Sequence, residues 1–288
     1  GKADMFFKRT IQKAEVVTSV DTASEALAVS LNEKARVDLE YMSSLTSKSK
    51  EEVIQELVGV IFQNPVTKEW ETADAYLSGN VREKLKIAKA FAEQEPLYAS
   101  NVTALERVQP KDLEASEIEV RLGATWIAPN YIEDFMREVL ETPEYLLERN
   151  IIGVQYSDIT GQWNIKGKNT DYGNTLVHMT YGTNRANAYR ILEDGLNLRD
   201  TRIFDVINED GKEKRVLNKK ETMLVSQKQD ALREAFQDWI FQELDRREAL
   251  CAIYNERFNA IRPREYDGSH LKFPGMTPEI TLKPHQLN

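Results

Sequence analysis

Apolar residues recur at helical spacing from Ala23 through Leu27 to Leu31, and Thr22-x-x-Glu25 ahead of them is a capping-box signature. Leu39, Met42 and Leu45 mark a short second helix. Ser49-x-x-Glu52 caps a third, which bears Val53, Ile54, Leu57 and Val58 and ends at Gly59. The run Val60-Ile61-Phe62, the turn Asn64-Pro65 and Trp70 follow as a small hairpin. Helix, short helix, turn, helix and hairpin is the order of a winged helix-turn-helix.

Asn80-x-x-Glu83 opens another helix with Val81, Leu85 and Ala88 inward, stopped by Pro96, and residues 101–110 read as a hinge. The pattern then changes. Ile118, Val120 and Leu122 alternate as a strand, and Pro129 opens a helix carrying Tyr131, Phe135, Val139 and Leu140. Residues 151–156 and 163–165 flank the turn Ser157-Asp-Ile-Thr-Gly161 as a hairpin, and residues 183–194 form a helix with Gly195 at its end. Residues 201–207 and 212–217 bracket Asp210-Gly211, a strong hairpin signal. A long helix, broken near Asp245, carries Leu232, Phe236, Trp239 and Ile240, then Leu250, Ile253, Tyr254 and Phe258. The expected fold is α+β and helix-rich. A linker or strand (1–20) enters a helical, winged helix-turn-helix-like domain (21–110). An α+β domain with hairpins and a long helix (111–260) follows, and Pro263, Pro274, Pro278 and Pro284 make 261–288 an extended connector.

Composition agrees with folded domains: 41% hydrophobic and 30% charged residues exclude a disordered chain. No apolar run is long enough to span a bilayer, so no membrane partner is expected. The start, Gly1-Lys-Ala-Asp-Met, has no signal-peptide core and reads as a cut into a longer chain, with cytoplasm the expected compartment. One cysteine, Cys251, rules out an internal disulfide and a thiolate-rich metal site. His178, His270 and His285 lack metal-ligand spacing. The net charge of −9 falls in the first half: residues 1–150 hold 18 Lys and Arg against 27 Asp and Glu, whereas residues 151–288 hold 20 of each. An acidic first half repels phosphate backbones unless its cations gather on one face.

Several chemistries fail on spacing. Gly161-Gln-Trp-Asn-Ile-Lys-Gly167-Lys168-Asn169 has five residues between its glycines and Asn after Lys, where a phosphate loop needs four and Ser or Thr; a strand and turn fit better. Asn64-Pro65-Val66 lacks the second proline and the stacking aromatic of an adenine methylase loop. Glu133-Asp134 and Glu193-Asp194 fall on polar helix faces and read as solvated, whereas His178 in an apolar stretch and Cys251 beside an inward stripe read as interior residues. No catalytic or metal-binding constellation emerges.

Basic surfaces are the remaining candidates. The third helix carries Glu51, Glu52, Gln55 and Glu56, with Lys48 and Lys50 at its start, a poor face for the major groove. Arg82, Lys86 and Lys89 share a face at i, i+4 and i+7, with Lys84 nearby, although an ordinary solvated face is the better account of them. Lys212, Lys214 and Arg215 decorate the later hairpin, followed by Lys219 and Lys220. Arg246, Arg247, Arg257, Arg262 and Arg264 come later, interleaved with Asp245, Glu248, Glu256 and Glu265.

Four stretches carry a resemblance: Tyr76-Leu-Ser-Gly-Asn-Val-Arg-Glu-Lys-Leu85, Leu122-Gly-Ala-Thr-Trp-Ile127, Ile261-Arg-Pro-Arg-Glu-Tyr-Asp-Gly-Ser-His270 and Leu282-Lys-Pro-His-Gln286. Over nearly the whole chain the sequence resembles the region just upstream of the helicase motor in large methylase–helicase fusion proteins of phages, plasmids and conjugative elements, related to phage defence-against-restriction factors. The resemblance implies an N6-adenine methylase-type domain upstream and a Snf-like superfamily-two motor downstream, with ATP, Mg and S-adenosylmethionine used by the parent protein and no cofactor in this fragment. Gln286 would be the adenine-recognising glutamine of that motor, since an amide pairs with the N6 and N7 edge of adenine. The motor's phosphate loop would follow Asn288, so ATP hydrolysis by the fragment is not expected. The expected function is a non-catalytic accessory module that positions duplex DNA or docks the motor, with the flanking methylase and helicase domains as partners. One alternative is a pure protein scaffold between those domains. Another is a hydrolase or nuclease, which would need carboxylates gathered with His178 or His270.

Overall fold

The computed structural model describes residues 17–209 and 212–265. The first sixteen residues, the Asp210-Gly211 turn, most of the expected connector, His270, His285 and Gln286 lie outside the described residues. The chain forms two compact units, one running to Lys111 and taking in the stretch from Phe258, the other Asp112–Arg257.

The first unit opens with α1 (Ala23–Lys34), α2 (Leu39–Thr46) and α3 (Lys50–Glu56), then β1 (Ile61–Gln63) and β2 (Trp70–Thr72). Both expected capping boxes form: Thr22 Oγ1 accepts from Glu25 N at 3.2 Å and Ser49 Oγ from Glu52 N at 3.2 Å, while each glutamate reaches back to its cap backbone. These bonds satisfy N–H groups that a helix start leaves without intrahelical partners. Asp38 starts α2 in the same way, accepting from Tyr41 N at 3.1 Å. Ala35 and Ser47 end α1 and α2 in left-handed conformation, at φ 55° and 56°, which turns the chain back each time. The three helices bury Ala26, Leu27, Met42, Leu45, Val53 and Leu57 against Ile61. β1 and β2 pair antiparallel with Phe62 opposite Glu71. The winged-helix order of the sequence is the order of the fold.

Next come α4 (Ala73–Tyr76), β3 (Gly79–Asn80), α5 (Val81–Ala92), a 3-10 turn at Pro96–Tyr98 and α6 (Ala99–Arg107). They close a second small core of Phe62, Tyr76, Val81, Ala88 and Leu105. The hinge expected over 101–110 is instead mostly α6. Asn101, a residue that favours turns, is buried there and donates Nδ2 to Gln63 O at 2.9 Å and to Tyr76 Oη at 3.1 Å.

In the second unit Ile118, Val120 and Leu122 are buried in alternation, but they form no strand; the segment has no ladder partner and turns at Leu122-Gly123. It leads into α7 (Pro129–Val139), with Pro129 at its first position, and α8 (Glu144–Glu148). β4 (Gly153–Ser157) and β5 (Gln162–Lys166) make the expected hairpin. Gly167 follows at φ 67°, and a side chain there would sit 2.1 Å from the Ile151 carbonyl oxygen, so the glycine serves close backbone approach. A π-turn (Leu176–Thr180) precedes α9 (Ala188–Leu196), which starts later than expected because Asn187 caps it, accepting from Arg190 N at 3.1 Å. Gly195 lies inside its last turn rather than after it.

β6 (Phe204–Glu209) and β7 (Lys212–Leu217) pair over their whole length. α10 (Lys219–Ile240) and α11 (Leu244–Phe258) replace the single broken helix. Arg246 explains the break: its guanidinium lies 3.8 Å over the Trp239 ring and donates to the Trp239 and Ile240 carbonyls at 2.9 and 3.1 Å, capping the end of α10. The core centres on Phe135, edge-on to both Phe236 and Trp239 at 5.4 Å. Beyond α11, β8 (Ile261–Arg262) returns to the first unit and pairs antiparallel with β3. Among the described residues no helix is long and apolar enough to cross a membrane.

Candidate docking and nucleic-acid surfaces

In a winged helix that reads DNA, the helix after the tight turn lies in the major groove. Here that helix is α3, and its solvent side presents Lys50, Glu51, Glu52, Gln55 and Glu56. The two lysines beside it are engaged within the unit: Lys48 Nζ sits 2.6 Å from Glu56 and Lys50 Nζ 2.8 Å from Glu40. The Ser49 N–H holds the Glu52 carboxyl below its ordinary range, and Lys48 does the same for Glu56, so both are charged at neutral pH. Arg36 pairs with Asp38 at 3.0 Å. In the wing, Lys68 donates to Tyr98 Oη at 2.9 Å, lies over the Phe91 and Tyr98 rings and sits 3.7 Å from Glu95. Residues 19–71 carry five Lys and Arg against ten Asp and Glu, a net charge of −5.

The stripe on α5 is divided in the same way. Arg82 is half-buried and donates Nε to Asn259 O at 2.9 Å and Nη2 to Pro110 O at 3.3 Å. Lys84 Nζ caps the end of α4 through the carbonyls of Tyr76 and Ser78, at 2.8 and 2.9 Å, and burial pushes its pKa down. Lys89 meets Glu106 at 2.9 Å, while Lys86 is exposed. Arg262 donates to the Leu77 carbonyl at 3.1 Å and Arg264 pairs with Asp74 at 2.7 Å. These cations hold the first unit together.

The second unit differs. Lys212, Lys214 and Arg215 on β7, and Lys219 and Lys220 at the start of α10, are all exposed. Lys214 lies 3.0 Å from Glu209 and the Arg215 guanidinium 4.9 Å from the Phe204 ring centre. Lys212, Lys219 and Lys220 have no carboxylate partner among the described residues. Register puts Val206 opposite Arg215 on one face of the hairpin and Ile207 opposite Lys214 on the other. Both faces meet solvent, Val206 being 61% and Ile207 43% exposed.

An apolar surface also emerges where none was anticipated. Ile54, Val58, Ile61, Phe62, Trp70 and Leu97 line a shallow depression beside α3, with Val58 65% and Leu97 49% exposed at its rim. Val53, Ile54, Leu57 and Val58 are the four apolar residues the third helix carries into Gly59, and they divide between two faces. Two i, i+4 pairs run side by side: Val53 and Leu57 are fully buried, whereas Ile54 and Val58 form a second stripe turned outward. An apolar face wider than one stripe on so short a helix was the available signal.

His178, Asp171 and Lys168 are tied into the second unit by hydrogen bonds and an ion pair. His178 Nε2 lies 2.6 Å from the Asp171 carbonyl oxygen. The buried Asp171 carboxylate accepts from Tyr189 Oη at 2.8 Å and Asn174 Nδ2 at 2.9 Å, and Thr142 Oγ1 is 2.7 Å from the same hydroxyl. Burial pushes the Tyr189 phenol far up, so it stays protonated and donates. Lys168, the lysine of the failed phosphate loop, pairs with Glu193 at 2.6 Å. The Cys251 thiol is half-buried and its pKa is raised by that burial. Among the described residues no cluster of three His, Cys, Asp or Glu stands ready for a metal ion.

Residues 19–71 match the family model described as "Probable helicase, winged helix domain". With α1–α3, β1 and β2 in that order, the region is a winged-helix domain of the kind associated with helicase-like proteins. Residues 121–260 match "Domain of unknown function (DUF8437)". No curated protein matches the chain. No solved structure matches it either.

Proposed function

We propose that the chain is a non-catalytic accessory module of a helicase-type protein, and that its winged helix docks protein instead of reading DNA. The observation that carries this is the state of α3: an acidic solvent face whose neighbouring lysines are bound to Glu56 and Glu40. Every carboxylate brought near a phosphate opposes the counterion release that drives DNA binding. The helicase-type winged-helix match supports the wider setting. Within it, the finer reading is the segment between a DNA methylase and a Snf-like, ATP-driven motor, in a cytoplasmic protein of phages or mobile elements. Gln286 would serve adenine recognition only in the complete motor.

A second reading, that the module also positions duplex DNA, is favoured by the β6–β7 arm, which keeps Lys212, Lys219 and Lys220 exposed without carboxylate partners among the described residues. The two readings separate in one titration. Anisotropy of a labelled duplex at low salt should show binding that is lost when Lys212, Lys219 and Lys220 are all changed to Glu, and that keeps its strength in Lys48→Glu/Lys50→Glu. Each lysine that meets a phosphate should add about −0.9 to the slope of log K against log salt. Duplex binding abolished by the Lys48/Lys50 pair would return α3 to the role of DNA reader and overturn the docking assignment.

A further inference from the structure

Building on the docking reading, we infer that the depression beside α3 seats a lysine- or arginine-rich amphipathic helix of the partner. Three features point to that occupant. First, the lining is mostly apolar, with Gln63, Ser100 and Asn101 on one side, and its rim residues Val58 and Leu97 are exposed, so an apolar side chain entering it removes hydrocarbon from water on both sides. Second, the charge beside it is negative. Glu51, Ile54, Gln55 and Val58 follow one another at i, i+3, i+4 and i+7 on the outward side of α3 and just beyond its end, and the Glu51 carboxylate has no ion-pair partner among the described residues. Lys68, the cation of the wing, is already tied to Glu95 and Tyr98.

Third, the edge of β1 that borders the depression is already occupied. Val60 O and Asn64 N bond across the β1–β2 hairpin, to Ala73 N and Glu69 O. That leaves the Gln63 carbonyl on the outer edge of β1, where Asn101 Nδ2 takes it at 2.9 Å. Augmentation of the sheet needs such carbonyls free, whereas a helix laid in a groove needs only apolar anchors at i, i+3 or i+4 and matched charges beside them. Leucine-like anchors would fill the depression while flanking lysines face Glu51, an arrangement that sets both affinity and orientation.

The test uses the whole chain and two labelled synthetic amphipathic helices, one of Leu and Lys, the other of Leu and Glu, read by anisotropy. The Leu/Lys helix should bind and the Leu/Glu helix should not. Val58→Glu/Leu97→Glu and, separately, Glu51→Lys should each weaken Leu/Lys binding by about tenfold or more. Because these residues are exposed, circular dichroism should show unchanged helix content. Equal binding of both peptides or indifference to the Val58/Leu97 pair would overturn the inference. Association with the helicase motor, followed by sedimentation, separates the two levels. If Val58→Glu/Leu97→Glu abolishes that association while no Leu/Lys helix binds, docking stands and the basic-helix occupant falls. If the association ignores every α3 and rim variant, docking by α3 falls with it.

Discussion

Helix α3 and the β6–β7 hairpin both face solvent and both carry lysines, yet they are held in place by different means. α3 is short, but Val53 and the following Leu57 are fully buried, and a capping box fixes its start. Its lysines are bound to carboxylates eight and ten residues away in sequence. The hairpin has hardly any buried side chain; its ladder is braced near its base by Arg185, which bonds Asp205 and the Phe204 carbonyl, and by Asn218 Nδ2 on Asp205. A two-stranded ribbon of this kind is marginal in isolation. The lesson is that the number of cations on an element says little about what it binds; what matters is whether a carboxylate already sits beside each one.

The sharpest way to break this contrast is through the small winged-helix core. Leu57→Ala should cost about 2–5 kcal/mol, the range for emptying a packed leucine site, and lower the first denaturation midpoint. A loss under about 1 kcal/mol would mean that α3 is as loosely held as the hairpin. A smaller effect belongs to the cap of α2. Asp38→Ala should cost about 1 kcal/mol at neutral pH. The Tyr41 N–H, helped by Arg36, lowers the Asp38 pKa from its ordinary 3.8 against the opposing pull of burial. The cap's contribution is therefore complete above that value and fades as pH falls through it and then through the lower folded-state value. The difference in stability between wild type and Asp38→Ala should close in acid; a difference that survives protonation would show that Asp38 acts by packing. The smallest effect is expected in the hairpin, where Val206→Ser should change stability by no more than about 0.5 kcal/mol. A loss there as large as at Leu57 would reveal that the hairpin is folded against a surface.

Local chemistry was legible in the sequence wherever the partner lies within a few residues. Thr22 with Glu25 and Ser49 with Glu52 announced two helix starts, Pro129 a third, and the two runs flanking Asp210-Gly211 pair as β6 and β7. Reading failed where the deciding partner is remote. Asn101 looks like a turn residue until Tyr76 and the Gln63 carbonyl come within reach to bury it in a helix. The alternation at Ile118, Val120 and Leu122 is a true burial pattern, but no second strand comes alongside to make a ladder. The surfaces follow the same logic. Arg82 reads as part of a basic stripe because nothing nearby in sequence reveals that Asn259 accepts from it, 177 residues away. The depression at Val58 needed Leu97 and Trp70, which no local period connects to it.

The pairing of β3 with β8 has a consequence for how the molecule is made. Gly79 and Asn80 leave the ribosome with no strand beside them, and the Leu77 carbonyl waits 185 residues for the guanidinium of Arg262. Of these two units, the one begun earlier is thus the one closed later, and the nascent chain must carry its unclosed edge through translation of the entire second unit.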